Sequence, residues 1–183
     1  MQPITTFTTP SLTANCFQLG DLPILCQLHQ DPTVMATLGG VRSDAQTEQF
    51  LRERIAHWER HGFGYWIFRE SATGSFVGRG GLQHVEVDGN NEVEVGYTVQ
   101  AAQWGKGFAT EMATAMVTLG FEQLGLPNIV CFTLTTNQAS QRVMEKVGFR
   151  FEQEILLGNV PHVLYRLRHK QFISNKTLRS LTI

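Results

Sequence analysis

The stretch Gln103-Trp104-Gly105-Lys106-Gly107-Phe108-Ala109-Thr110-Glu111 constrains this chain more than any other. Before it, Glu92 to Val99 alternates polar and apolar residues, a period of two that predicts a strand. After it, Met112, Ala113, Met116, Val117, Gly120, Phe121 and Leu124 recur at three and four, the stripe of a helix. Two glycines therefore stand where a strand turns sharply into a helix. The first turn of a helix leaves backbone N–H groups without partners and carries the positive end of the helix dipole. Such a junction suits an anion, above all a phosphate. Glycine lets the ligand come close, because no Cβ stands over the amides.

Spacing separates the phosphate motifs that share this physics. A P-loop ends in Gly-Lys-Ser/Thr, and here Gly107 follows Lys106. A dinucleotide fingerprint needs a third glycine, where this chain has Thr110, and an acidic residue near the end of the next strand to hold a ribose. That strand, Ile129 to Thr135, runs into Thr135-Thr136-Asn137 with no Asp or Glu, so the dinucleotide reading falls behind.

Trp104-Gly105-Lys106-Gly107-Phe108-Ala109-Thr110-Glu111 resembles motif A of the GNAT superfamily of acetyl-CoA N-acetyltransferases, in the form of its Rim-type branch, which includes acetylases of ribosomal-protein N-termini. Glu94-Val95-Gly96-Tyr97 resembles the family's fourth strand. The run Asn137-Gln138-Ala139-Ser140-Gln141-Arg142-Val143-Met144-Glu145-Lys146-Val147-Gly148-Phe149 resembles its motif B. With Gly78 to Leu82 upstream, the match spans Tyr65 to Tyr165 in the family's order.

The rest of the chain agrees with a protein of this kind. Its 183 residues suit one domain with a substantial core, with a flexible tail or a segment packed on a neighbour from about residue 170. With 17% charged residues and a net charge of −1, no broad nucleic-acid footprint is expected. No apolar run approaches the ~20 residues of a membrane span, so no membrane partner is expected. The Thr-rich Met1 to Pro10 lacks the pattern of a signal peptide. Cys16, Cys26 and Cys131, odd in number and unclustered, suit a reducing cytoplasm.

In order, the patterns predict a strand over Leu12 to Leu19 and a short helix over Asp21 to His29, stopped by Asp31-Pro32. Ser43 with Gln46 opens a helix that runs to His61, with Phe50, Leu51, Ile55 and Trp58 on its apolar face and Gly62 at its end. Three strands in hairpin order follow: Tyr65–Glu70, Phe76–Val87 and Glu92–Gln100, with turns at Thr73-Gly74 and Asp88-Gly89-Asn90. After the loop and its helix come a strand at Ile129–Thr135 and a short helix from Ser140. Phe149–Ile155 and Val163–Leu167 form a closing hairpin around Gly158-Asn159. A doubly wound sheet alternates strands and helices throughout, and this chain does not. The expected fold is α/β in α+β order, a mixed central sheet with an antiparallel N-terminal half, a βαβ crossover and a C-terminal hairpin, which is what the GNAT resemblance implies.

The resemblance implies direct attack of an amine on the thioester of acetyl-CoA. The amine must lose a proton, best through a carboxylate or its ordered water. Glu92 and Glu94 are the candidates, and each is equally at home as an ion-paired surface residue. The resemblance places the pyrophosphate on the backbone of Gly105, Lys106, Gly107, Ala109 and Thr110, with Gln103 and Trp104 beside it. Backbone N–H groups near Tyr97 to Val99 would stabilise the oxyanion, and Val99 would pair with the pantetheine arm. Asn137 would bind the pantetheine amides and Ser140 the sulfur, unless Ser140 serves as a helix N-cap. The tyrosine that many members place before the motif-B Gly-Phe is here Met144. A thiol pKa of ~8.5 makes acid help useful rather than obligatory.

Other chemistry-bearing residues read as structure. His57 and His61 lie four apart but not in a His-Glu-x-x-His motif, so they read as a solvated helix edge, and no metal is expected. Cys131 reads as a buried small hydrophobe, and His84 as a surface or hydrogen-bonded histidine on a strand next to Glu92–Gln100. Trp58, Phe63, Trp66 and Phe68 are open between the core and the acceptor pocket. The whole predicts a cytoplasmic N-acetyltransferase, monomeric or homodimeric, whose acceptor is a protein N-terminus or a small-molecule amine such as a polyamine, an aminoglycoside or an amino-acid derivative. The resemblance assigns the acceptor pocket to residues 31–64 and 156–162. The rival is a catalytically silent acyl-CoA-binding module, for which Met144 is the supporting feature.

Overall fold

Residues 3–180 are described by a computed structural model. The strands are β1 (Thr6–Thr8), β2 (Leu12–Cys16), β3 (Tyr65–Glu70), β4 (Phe76–Val87), β5 (Asn90–Val99), β6 (Asn128–Leu134), β7 (Arg150–Leu157) and β8 (Val160–Arg168). The helices are α1 (Leu22–Gln30), α2 (Pro32–Met35), α3 (Asp44–His61), α4 (Phe108–Glu122), α5 (Gln138–Val147) and α6 (His169–Ser180). Hydrogen-bonded neighbours follow the order β1-β2-β3-β4-β5-β6-β8-β7. The chain forms two compact units, Met1–Gln83 with Gly96–Met112, and His84–Val95 with Ala113–Ile183.

In the first unit, β1, β2, β3 and the start of β4 run antiparallel, with Leu12 opposite Glu70 and Tyr65 opposite Gly81. Asp31 separates α1 from α2, its carboxylate accepting the N–H groups of Thr33 and Val34 while Pro32 takes the first helical place, where its missing N–H loses nothing. The Ser43–Gln46 capping box forms in both directions, at 3.2 and 2.9 Å, and Gly62 closes α3 at φ 73. A cap of this kind is worth ~1 kcal/mol. Under the helices lie Phe17, Leu25, Leu28, Met35, Phe50, Leu51, Tyr65 and Ile67. Trp66 and Phe68 are fully buried and meet Phe7 edge-on, with ring centroids 5.3 and 5.8 Å away, and Trp66 Nε1–H donates to the Ile4 carbonyl. Both belong to the core.

In the second unit, β5 and β6 pair in parallel, Glu94 opposite Val130, and α4 makes the connection between them. Strand β8 pairs antiparallel with β6 and again with β7. The β7–β8 turn uses left-handed Gly158 and Asn159, at φ 55 and 64, and Asp88 and Gly89 turn β4 into β5 at φ 50 and 75. Two successive positive φ values match the right-handed strand twist, which explains Asx and Gly at these places. Val87, Val130, Ile155 and Leu164 form a core cluster.

The antiparallel half, the βαβ crossover and the C-terminal hairpin all stand as the sequence predicts. The predicted strand at Leu12–Leu19 instead stops at Cys16, and Leu19–Asp21 forms a 3-10 turn. Strand β1 was not anticipated. The stretch left open after residue 170 forms α6, whose Phe172 packs on Phe121 at 4.9 Å, and the predicted tail beyond Ser180 lies outside the described residues. Among the described residues no helix is long and apolar enough to cross a membrane.

Candidate active site

The strand–glycine–helix junction belongs to the first unit. Ala101–Gln103 form a 3-10 turn, the loop Trp104–Gly107 is exposed, and α4 begins at Phe108. Gly105 and Gly107 have φ 78 and 86, and a Cβ on either would meet no heavy atom within 4 Å. The glycines are there for backbone conformation, and the space beside them is open. At the helix start, Glu111 N–H donates to the Gly107 carbonyl at 3.1 Å, so the N–H groups of Phe108, Ala109 and Thr110 precede the first turn's acceptors. These donors, the dipole and the Lys106 ammonium fit a diphosphate. Lys106 Nζ donates to Gln103 Oε1 at 2.7 Å, and the Gln103 side chain is buried. Trp104 Nε1–H donates to the Val99 carbonyl at 2.8 Å while its ring is 52% exposed. The backbone of Val99, expected to pair with the pantetheine arm, thus holds the loop tryptophan through its carbonyl. Tyr97 is half-buried and Val99 buried.

Glu111 secures this loop, a role sequence patterns did not indicate. One carboxylate oxygen accepts Thr9 Oγ1–H at 2.5 Å and the Ser11 N–H at 2.8 Å, and the other accepts Ser11 Oγ–H at 2.5 Å. Burial pushes the Glu111 carboxyl up, but the hydrogen bonds from Ser11 and Thr9 outweigh it and hold its pKa below the ordinary carboxylate value. An acidic residue in the first turn of a helix is a readable dipole signal. Its partners, about a hundred residues earlier, are not.

The remaining candidates belong to the second unit. Glu92 is ion-paired with Arg166 at 2.9 Å, and Arg166 also forks onto Glu152 at 2.7 and 2.9 Å. Glu94, expected on a polar strand face, is instead buried at 8% exposure. The strict alternation fails here because Val93, Glu94 and Val95 are all covered. Asn137, rather than Ser140, is the N-cap of α5: its Oδ1 accepts the Ser140 N–H at 3.1 Å, and its Nδ2 donates to Thr133 Oγ1 at 3.0 Å. Both ends of the Asn137 amide are therefore engaged. Met144 is 1% exposed and packs as core.

His57 corrects the reading of a solvated helix edge. It is buried, and its Nδ1 lies 2.9 Å from the Phe63 carbonyl, which fixes the proton on that nitrogen. Its ring centroid is 4.5 Å from that of His61. Cys131 is buried at 3% exposure, as expected, and forms no disulfide among the described residues, and His84 is exposed.

Residues 12–150 match the model of the acetyltransferase (GNAT) domain. Uncharacterised protein YkkB of Bacillus subtilis is 29% identical over 138 residues, 75% of this chain and 80% of that one. FsC-acetyl coenzyme A-N(2)-transacetylase of Aspergillus fumigatus is 33% identical over 134 residues, 67% of this chain and 55% of that one. The solved ribosomal-protein-S5-alanine acetyltransferase of Vibrio fischeri superposes with a TM-score of 0.74 at 17% identity, covering 91% of this chain and 98% of that one, which shows the fold. With the family model covering most of the chain, the protein belongs to the GNAT family of acetyl-CoA-dependent N-acetyltransferases.

Proposed function

We propose that the enzyme transfers the acetyl group of acetyl-CoA directly to a primary amine, without an acyl-enzyme, and that the acceptor is a protein N-terminus or a small-molecule amine. The observation that carries this reading is the pair of left-handed glycines with open space beside them at the start of α4. Gly105, Lys106, Gly107, Ala109 and Thr110 receive the pyrophosphate through backbone N–H groups, and Gln103 holds the Lys106 ammonium in place. Trp104 anchors the loop to β5 through Val99, whose remaining main-chain capacity, with that of Tyr97, serves the pantetheine arm and the thioester oxygen.

Of the two carboxylates, Glu94 is the better general base. Glu92 is ion-paired with Arg166, and Glu94 is buried, where a carboxylate can hold an ordered water and take up a proton from the amine. Ser140 steadies the leaving sulfur, its backbone fixed by Asn137. Met144, sealed in the core, supplies no acid, which a thiolate leaving group tolerates, its thiol having a pKa of ~8.5. Two relatives are named for different acceptors, one for N(2) transacetylation and one for an alanine of a ribosomal protein, and both are amines of the class proposed. Three free cysteines fit a cytoplasmic enzyme.

The test is coenzyme A thiol release from acetyl-CoA against N-terminal peptides, polyamines, aminoglycosides and amino-acid derivatives. Release with one class names the acceptor. Tight acetyl-CoA binding with release no faster than hydrolysis across the whole panel would overturn the assignment of the acceptor to these classes.

A further inference from the structure

We propose that a hollow on the surface of the first unit binds a small organic anion through the carboxylate or phosphate it carries. The hollow is about 270 Å³ and is lined by Arg42, Gln46, Gln49, Phe50, Glu53 and Arg54. Three guanidinium carbons crowd the Phe50 ring, those of Arg42 at 5.0 Å, Arg54 at 4.9 Å and Arg79 at 4.6 Å from its centroid. An aromatic face attracts one cation well, but it does not neutralise three.

Ion pairing does not answer two of these arginines. Among the described residues, neither Arg42 nor Arg54 forms an ion pair. Of the nearby carboxylates, Glu53 lines the hollow but forms no ion pair with either arginine, its Oε1 accepting from Gln49 Nε2 at 3.0 Å, and Glu48 is paired with Arg52 at 2.7 Å. Arg79 donates its Nε–H to His29, which burial and the adjacent arginines keep neutral, so that contact adds no negative charge. Burial, and then Arg54, push the Arg42 pKa down by more than Tyr65 and Glu53 raise it, so the like charge beside it outweighs the acidic groups in reach.

A second observation concerns a residue that lines the same hollow. Arg54 Nε is buried and has no hydrogen-bond partner. A buried donor without an acceptor is rare and calls for a ligand. The Nε and Nη edge of a guanidinium is the fork that a carboxylate or phosphate fills with two parallel hydrogen bonds. Gln46 offers a further donor, because its Oε1 is used by the Ser43 N–H while its amide nitrogen remains. Phe50 gives an apolar floor for a carbon skeleton, and the volume exceeds that of a bare ion. The ligand is therefore an organic acid or a phosphate monoester. It is either the acceptor itself or a separate molecule, and the inference does not depend on acetyl transfer.

The experiment is calorimetric titration of the full chain with citrate and with glycerol 3-phosphate at constant ionic strength. The wild type should bind at least one of them saturably. Arg42→Gln and Arg54→Gln, both at half-buried positions and checked for folding by circular dichroism, should each weaken it tenfold or more. Glu53→Gln, at an exposed position, should tighten it several-fold by removing the one acidic side chain of the lining. No saturable binding of either probe, or the same affinity in both arginine variants and in Glu53→Gln, overturns the proposal. Thiol release with phenylalanine and phenylalaninamide separates the two sources. A KM raised by Arg54→Gln for the acid alone identifies the acceptor, and any other pattern, with probe binding weakened, identifies a separate anion.

Discussion

His29 in α1 should make the folded protein lose stability below neutral pH by a predictable slope. The ring is 0% exposed, accepts Arg79 Nε–H at Nε2 over 2.9 Å, and faces Thr47 Oγ1 from Nδ1 at 3.2 Å. These contacts suit a neutral ring with its proton on Nδ1. A protonated ring would turn a second N–H toward Arg79 and add a charge among guanidiniums. Burial, then Arg79, then Arg42 lower its pKa from 6.5 to about 3. Because the folded value is depressed, the unfolded chain takes up this proton first. The stability is fully present above 6.5 and is lost as pH falls toward about 3. One proton gives ~1.4 kcal/mol per pH unit, or about 2.3 kcal/mol between 6.5 and about 4.5 once the rounded start of the titration is included. His29→Gln keeps an acceptor for Arg79 and does not titrate. Urea unfolding of wild type and variant, followed by circular dichroism at stepped pH and fixed salt, cancels the carboxylates common to both. The gap between the two should close by about 2.3 kcal/mol across that interval. A gap that stays constant to within about 0.5 kcal/mol would refute the neutral, desolvated ring.

Four further outcomes are expected. Gly107→Val, at φ 86 with open space around it, should fold at a penalty of roughly 1–2 kcal/mol but lose acetyl-CoA binding by calorimetry; tight binding would remove the cradle from the site. Glu94→Gln should lower turnover about a hundredfold or more with acetyl-CoA affinity unchanged, and normal turnover would shift the base elsewhere. Glu111→Gln should cost roughly 1.5–3 kcal/mol, seen as a lower Tm. Since the Glu111 carboxyl is held below its ordinary value, wild type should keep that advantage above the carboxylate range and lose it as pH falls through it. Gly78→Ala should be the most damaging, because its Cβ would stand 2.1 Å from the Thr98 carbonyl oxygen and 2.9 Å from Val99 Cα; more than about 4 kcal/mol is expected, and soluble, normally melting protein would contradict this contact.

Local physics made much of the fold legible. The Ser43–Gln46 box, Gly62 and the Asp88-Gly89 and Gly158-Asn159 turns act within a few residues of themselves, so their chemistry can be read in place. The glycine loop was readable for the same reason. Where legibility stopped, tertiary context decided. Strand β1 is three residues long, too short to show a period, and exists by pairing with β2. Glu94 follows the alternation of a half-exposed strand, yet its sheet is covered, so it is buried. Ser140 and Asn137 are both good N-caps, and the choice between them rested on where α5 begins. The arginines around Phe50 are 42, 54 and 79, which no periodicity joins.

The tie between Glu111 and the Thr9–Ser11 turn also has a consequence for when the enzyme becomes competent. Its contacts span 100 residues or more, so they close one of the longest loops in the chain. Contacts of that separation form late, after the local turns and helices are in place. As the protein is synthesised, Thr9 and Ser11 must wait for the start of α4 to leave the ribosome before the loop can be braced. A folding intermediate with α3 and both hairpins intact should therefore hold its glycines slack, and coenzyme affinity should be among the last native properties to appear.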